Sequence, residues 1–569
     1  MIRSMMAMTV AVVLMSSTLV APTLAVSPEP VYGKGGMVAS RSAIASEVGA
    51  EILAKGGNAI DAAVATGFAL AVTHPSAGNL GGGGFMVLRL ADGTVITNDH
   101  RERAPAAATR DMFLDADGAF VPERSTLTHA ASGVPGTVAG LLDVLERYGT
   151  LSRREVMAPA ITLASRGFEI SHDLARDLER YRERFAPHAA SVEAFTNKGS
   201  PYVAGERLVQ KDLAATLSRI SKRGRDGFYR GRTADLIVAE MQRGNGLISA
   251  ADLEAYRSVW RQPIRSRYRG YEIVGMPPPS SGGVLIAQML NVLEAYDLKR
   301  MGFGSSELVH LMIEAERRAF ADRAEHLGDP DFFAVPVERL IAKDYARERF
   351  QDFEPKRATP SSAVGAGLWP EESPDTTHAS FADALGNAVA YTTTLNLSYG
   401  SGITVTGAGF LLNNEMDDFS AKPDTPNAYG LLGRAANAIE PGKRMLSSMS
   451  PTIVLKDGKP LLITGSPGGS TIITTTLQVI LNVVDHEMDL SDAVGQPRFH
   501  HQWQPDRVLY ERFGLSPDTL AALRRMGHEQ LTLLPWGRGL GDANSILIRD
   551  GQFHGMSDPR NDGGAAAPR

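Results

Sequence analysis

The chain has 569 residues, 43% hydrophobic and 21% charged, with a net charge of −6 at neutral pH and no cysteine. That length implies several domains or one large composite body, and the composition excludes a disordered or fibrous chain. The charge offers nucleic acid no general attraction, and without cysteine any nucleophile must be an oxygen or a nitrogen.

The first 25 residues carry a lone Arg3, an apolar run and small residues at Thr23 and Ala25. This is the layout of a signal peptide cut after Ala25. No later stretch approaches the roughly 20 apolar residues that span a bilayer, so the expected location is periplasmic or secreted. Residues 44–72 then read as two Ala-rich amphipathic helices broken at Gly56-Gly57, with Asn58 capping the second. In "PSAGNLGGGGFMVLRLADGTVIT" (75–97) a glycine-dense turn feeds two strands joined at Asp92-Gly93. From 135 to about 350 the pattern is largely helical. A capping box falls at Ser249/Asp252 and a long helix over 306–327. The densest basic run, 257–270, reads as a solvated, partly stranded face.

Residues 354–375 gather Pro, Ser, Gly and Glu, which predicts an exposed linker ending at Asp375. Strands follow at 377–383, 388–395, 452–456 and 461–464, and "GSPGGS" (465–470) opens an apolar helix. Helices in the middle with strands at both ends predict layered α+β packing, the two strand sets sharing a sandwich.

The junction poses the chemical question. In "DTTH" (375–378), Thr376 either begins an ordinary strand or is a nucleophile. His378, two residues on, shares its face but is too far along the strand to make a catalytic pair by spacing alone. Cleavage between Asp375 and Thr376 would instead give Thr376 a free α-amine. Its reference pKa of about 7.7–8.0 suits a general base tethered to the hydroxyl it activates. "GSPGGS" could supply oxyanion donors; a phosphate loop would need the lysine it lacks. Glu415, Asp417 and Asp418 in "LLNNEMDDFS" (411–420) read as a solvated turn, a calcium site or a pocket for a cationic amine. "FHHQW" (499–503) reads as buried packing, and no His pair has persuasive metal spacing.

Taken together, "GGNAIDAAVA", "HRERAPAAATRDMF", "ASGVPGTVAG", "MPPPSSGG", "DTTH", "TLN", "NNEMDDFS", "LSSMSPT", "TGSPGGS" and "PRFHHQW" resemble the gamma-glutamyltransferases of the N-terminal nucleophile superfamily. The resemblance runs from about residue 31 to near 560. It implies a four-layer αββα sandwich and a precursor that cuts itself at Asp375–Thr376. The products would be a large chain of 26–375 and a small chain of 376–569, associated as a heterodimer. It further implies Thr376 as nucleophile, Thr394 as its orienting partner, and Gly468 and Gly469 as the oxyanion hole. Arg101, with Ser447 and Ser448, would meet the substrate α-carboxylate. Asn396, Glu415 and Asp418 would hold the α-amine, and Tyr429 would gate the pocket from a lid at 423–434. The implied donors are glutathione and related gamma-glutamyl amides, the acceptors water, amino acids or peptides, with no metal or organic cofactor. A glutaryl-cephalosporin acylase of the same fold and a non-cleaving exported solute-binding protein are the alternatives.

Overall fold

The computed structural model describes residues 28–364, 376–422, 425–536 and 538–569. The expected signal segment and Asp375 lie outside the described residues. None of the described helices is long and apolar enough to cross a membrane.

Two seven-stranded sheets organise the molecule. Their strands are β1 (Val31–Gly33), β2 (Gly36–Ser40), β3 (Gly83–Arg89), β4 (Val95–His100), β5 (Val259–Arg261), β6 (Ile264–Tyr268) and β7 (Tyr271–Gly275). The C-terminal region adds β8 (Thr377–Asp383), β9 (Ala388–Thr394), β10 (Thr452–Lys456), β11 (Lys459–Thr464), β12 (Ser545–Arg549), β13 (Gln552–Met556) and β14 (Gly564–Ala566). One sheet runs β14-β2-β8-β9-β3-β4-β5 and the other β1-β13-β12-β11-β10-β7-β6. Each described pairing within them is antiparallel.

Alternation along the strands explains the layering, because successive side chains point to opposite faces. Phe85 and Val87, Ala388 and Ala390, Ile453 and Leu455, and Ile463 share the core between the sheets. Their neighbours turn outward. Met86, Leu88, Phe381, Val389 and Tyr391 pack under helices α1 (Ala43–Ala54) and α2 (Ala59–Thr73). Val454, Leu462 and Leu547 pack under a second helical layer that includes α4 (Gly282–Leu293), α5 (Ser306–His326) and α6 (Thr471–Val484). The result is the expected αββα sandwich. Helix α3 (His172–Arg180), near the first layer, matters to the site below.

The local signals act as predicted. Asn58 caps α2 through a capping box with Asp61, and Ser249/Asp252 does the same further on. Every residue of α2 is buried, which makes it a core helix rather than the amphipathic one expected. The largely helical reading of 135–350 misses β7, whereas β5 and β6 fall in the basic run 257–270 read as partly stranded. Their short alternating runs put Arg265 and Arg267 outward, while Arg261 turns in to pair with Asp99 at 2.8 Å. Most of the described part of the linker, 354–364, is exposed as expected, with two buried anchors. Ser361 and Val364 are buried; Ser361 N donates to Asp506 (2.7 Å), and Trp503 Nε1 donates to the Ser361 carbonyl (3.0 Å). The buried "FHHQW" motif therefore anchors the described end of this segment.

Candidate active site

Thr376 stands one residue before β8, next to the centre of its sheet, and is 8% exposed. Across the ladder Thr377 faces Thr393, and the Thr376 and Thr394 hydroxyls lie 3.3 Å apart. Thr394 is itself fixed. Its Oγ1 accepts from Asn396 N at 2.8 Å, and its carbonyl accepts from Asn79 Nδ2 at 2.8 Å. Asn79 Oδ1 in turn accepts from Gly82 N and Thr137 Oγ1. The glycine-dense turn is required by crowding: a Cβ on Gly82 would run into the Thr394 carbonyl, and one on Gly81 into the Leu411 carbonyl. Asn79 carries no chemical signature and escapes a sequence reading, although it holds Thr394 in place.

His378 turns away from Thr376. Its ring bonds Thr392 Oγ1 at 2.8 Å and Ser380 Oγ at 3.1 Å. Burial lowers its pKa to about 3, so the imidazole is a neutral packing group.

A cavity of about 250 Å³ opens beside the threonine pair, lined by Thr376, Thr394, Asn396, Glu415, Asp418, Tyr429, Ser447, Ser448 and Gly469 among others. "PPPSSGG" cradles the two serines: Ser281 N and Oγ donate to the Ser447 carbonyl at 2.7 and 2.8 Å. Arg323 on α5 donates to Ser281 Oγ (3.0 Å) and Ser448 Oγ (3.3 Å). It is a second buried cation at the site, hidden in sequence within a helix rich in arginine. Tyr429 closes one side. Its hydroxyl donates to the Asn396 carbonyl, and its ring covers Gly469, where a Cβ would collide with it. Gly469 has φ +56° and Gly468 φ +132°, backbone that favours glycine, at the turn leading into α6. Gly468 lies in the neighbouring chamber, with Thr376 between the two.

Arg101 departs from the expected arrangement. It is fully buried just beyond β4 and does not line the cavity. Instead its guanidinium pairs directly with Glu415 and Asp418, the acids expected to hold an amine, and reaches Glu102 at 3.5 Å. The physical reason is desolvation: buried charges must pair. Even with Arg323 acting on Asp418, two cations do not balance three carboxylates, however. Burial pushes Glu102 up to about 7, even with Arg101 opposing, and raises Glu415 and Asp418 as well. Glu102 also raises Glu415 by like-charge repulsion. Burial alone would lower Arg101, but Glu415, Asp418 and Glu102 more than offset it and keep the guanidinium charged. Asn396 Oδ1 and Glu415 Oε2 are buried without a hydrogen-bond partner. The site thus offers an excess of acceptors to an ammonium group. Asp417, pushed up to about 7 by burial, faces elsewhere: it accepts from Ser125 Oγ (2.6 Å) and Ala428 N (2.8 Å), tying down the Tyr429 segment.

His310, Glu314 and His528 form a further cluster outside both chambers. Arg317 and Arg318 already hold Glu314, and the two histidines bond each other at 2.8 Å. Two adjacent guanidinium groups oppose a metal cation there.

An αββα sandwich with a buried threonine hydroxyl at the head of a central strand defines an N-terminal-nucleophile hydrolase fold. The family model for gamma-glutamyltranspeptidase matches residues 45–568. The "Glutathione hydrolase proenzyme" of Escherichia coli (strain K12) is 51% identical over 535 residues, 94% of this chain and 91% of its own. The protein of the same name from Pseudomonas sp. (strain A14) is 48% identical over 95% and 96%. The crystal structure of a cephalosporin acylase from Bacillus halodurans superposes with a TM-score of 0.85 at 28% identity, covering 97% of this chain and 99% of the other. The chain belongs to the gamma-glutamyltranspeptidase family and is an enzyme.

Proposed function

We propose that the enzyme is exported, cuts itself between Asp375 and Thr376, and then transfers the gamma-glutamyl group of glutathione and related amides through Thr376. In the first step Thr376 Oγ1 attacks the Asp375 carbonyl and the peptide becomes an ester. Water hydrolyses that ester, leaving two associated chains, 26–375 and 376–569, and a free Thr376 α-amine. The amine accepts the hydroxyl proton as Oγ1 attacks the donor's γ-carbonyl, with Thr394 orienting the hydroxyl. The oxyanion meets the backbone N–H groups of Gly468 and Gly469. The protonated amine then passes its proton to the leaving nitrogen. Water, or the amine of an amino acid or peptide, takes the acyl group and restores the hydroxyl.

The observation that carries this reading is the acid-rich cavity beside Thr376. The donor's ammonium would sit among Glu415, Asp418 and Asn396 Oδ1 and offset their surplus charge. Its α-carboxylate would share the Arg101 fork and the hydroxyls of Ser447 and Ser448. A glutaryl donor keeps the carboxylate but lacks the ammonium, so the acids stay uncompensated; this favours gamma-glutamyl over the acylase alternative.

The test compares matched gamma-glutamyl and glutaryl anilides. Wild type should prefer the gamma-glutamyl substrate by about 100-fold or more in kcat/KM, the scale on which a site penalises a missing charged partner. Asp418→Asn should narrow that ratio while still giving two chains. Equal losses on both substrates would place the acidic cluster in folding or maturation instead.

A further inference from the structure

Thr376 also borders a second, larger chamber of about 1110 Å³, on the opposite side of the Gly468–Gly469 turn from the acid cluster. Its charge character is reversed. Arg41, Arg176, Arg180, Arg538 and Arg560 line it, against Asp173, Asp177 and Asp542. Three of these arginines are committed within the protein. Arg41 pairs with Asp542 and Asp173, Arg176 with Asp173, and Arg560 with Glu511 and Asp558. Asp177 accepts a hydrogen bond from Tyr399 at 2.9 Å. Among the described residues, neither Arg180, at the end of α3, nor Arg538 has an ion-pair partner, and both are exposed to the chamber's solvent.

An acyl-transfer site needs room on both sides of its nucleophile: one for the acyl group, one for the group that leaves or arrives. The small acidic cavity fits a zwitterionic acyl group. We propose that the arginine-lined chamber receives the leaving and accepting groups, and that Arg180 and Arg538 select those ending in a carboxylate. This rests on Thr376 being the nucleophile of gamma-glutamyl transfer. A leaving dipeptide extends about 7 Å beyond the broken bond to its carboxylate end, and Thr376, Arg180 and Arg538 border the same chamber. Guanidinium groups suit that end, since they present paired donors to a carboxylate and stay charged at every working pH. The same geometry favours amino acids and short peptides with free carboxyl termini as acceptors over their amides.

The experiment uses the mature enzyme with Arg180→Ala, Arg538→Ala and the double substitution. Donors are glutathione, whose leaving dipeptide carries a carboxylate, and gamma-glutamyl-p-nitroanilide, whose leaving group is neutral. Acceptors are glycylglycine and glycylglycinamide. The double variant should lower the ratio of kcat/KM for glutathione to that for the anilide by about tenfold, each arginine supplying a few-fold as expected of a partly solvated charge pair. It should lower the preference for glycylglycine over its amide by a similar factor, and Arg180→Lys should restore part of both. Retained anilide turnover certifies the fold. Unchanged ratios overturn the assignment of Arg180 and Arg538, whereas a wild-type enzyme that turns over neither donor overturns the gamma-glutamyl reading itself.

Discussion

At Arg101 the guanidinium faces Glu415, Asp418 and Glu102 without access to water, so under the proposed function the pocket would recognise charge by redistributing pairs it already has. A donor ammonium would relieve the carboxylate surplus, and a donor carboxylate would compete with Glu415 and Asp418 for the arginine fork. Arg101→Lys keeps the charge but loses the paired donors. A charge-assisted hydrogen bond is worth roughly 1.5–3 kcal/mol, so KM for a gamma-glutamyl donor should rise about tenfold or more, with both chains still formed. An unchanged KM in steady-state assays would remove Arg101 from donor binding. The residues proposed to act on the donor were legible because their chemistry and motif spacing are distinctive: Thr376 at "DTTH", Thr394 at "TLN", Glu415 and Asp418 in "NNEMDDFS". Those that act one contact further away were not. Glu102 lies inside the quoted "RERAP", yet nothing in that string says its carboxyl will meet Glu415, more than three hundred positions on. Arg323 and Asn79 are similarly ordinary until the fold brings them to Ser448 and Thr394.

At the scale of elements, the β8–β9 hairpin does most to set the geometry. Asp383 accepts from Leu385 N and Asn387 N across the turn, and Gly386 takes φ +92°. This fixes the register in which Thr377 meets Thr393 and His378 meets Thr392. Both strands were readable from the alternation at 377–383 and 388–395. The role of His378 was not, since an i+2 spacing argues against a catalytic pair without saying what the imidazole packs against. Its burial has a pH signature. The imidazole takes a proton in the unfolded chain below about pH 6.5 but in the folded chain only near pH 3. The unfolded state therefore binds more protons in that window, and His378 costs stability as pH falls through it. Relative to His378→Gln, wild type should lose about 1.6 kcal/mol between pH 6.5 and 5, the slope rising toward about 1.36 kcal/mol per pH unit. Denaturant unfolding at the two pH values measures this. A pH-independent difference would mean that His378 is accessible to protons in the folded state.

For the molecule as a whole, the two sides of the proposed cut cannot be treated as separate domains. Strand β8 lies between β2 and β9, and β9 joins β3; in the other sheet β10 joins β7, and β13 joins β1. Each sheet interleaves strands from before and after residues 365–375, so a single cut would leave two chains sharing both sheets and all three cores. The sandwich class was legible from strands at both ends of the chain. The interleaving was not, because short edge strands such as β5 and β14 gain their identity only from the neighbours they pair with. The central claim is that Thr376 becomes a chain terminus and, through it, the nucleophile. The intact-mass spectrum of the purified mature protein tests it most directly. The account predicts two components, the smaller matching residues 376–569 with threonine at its N-terminus, and a single uncut component for Thr376→Ala. An active wild-type enzyme that remains one chain, or a smaller chain beginning at any other residue, would contradict it.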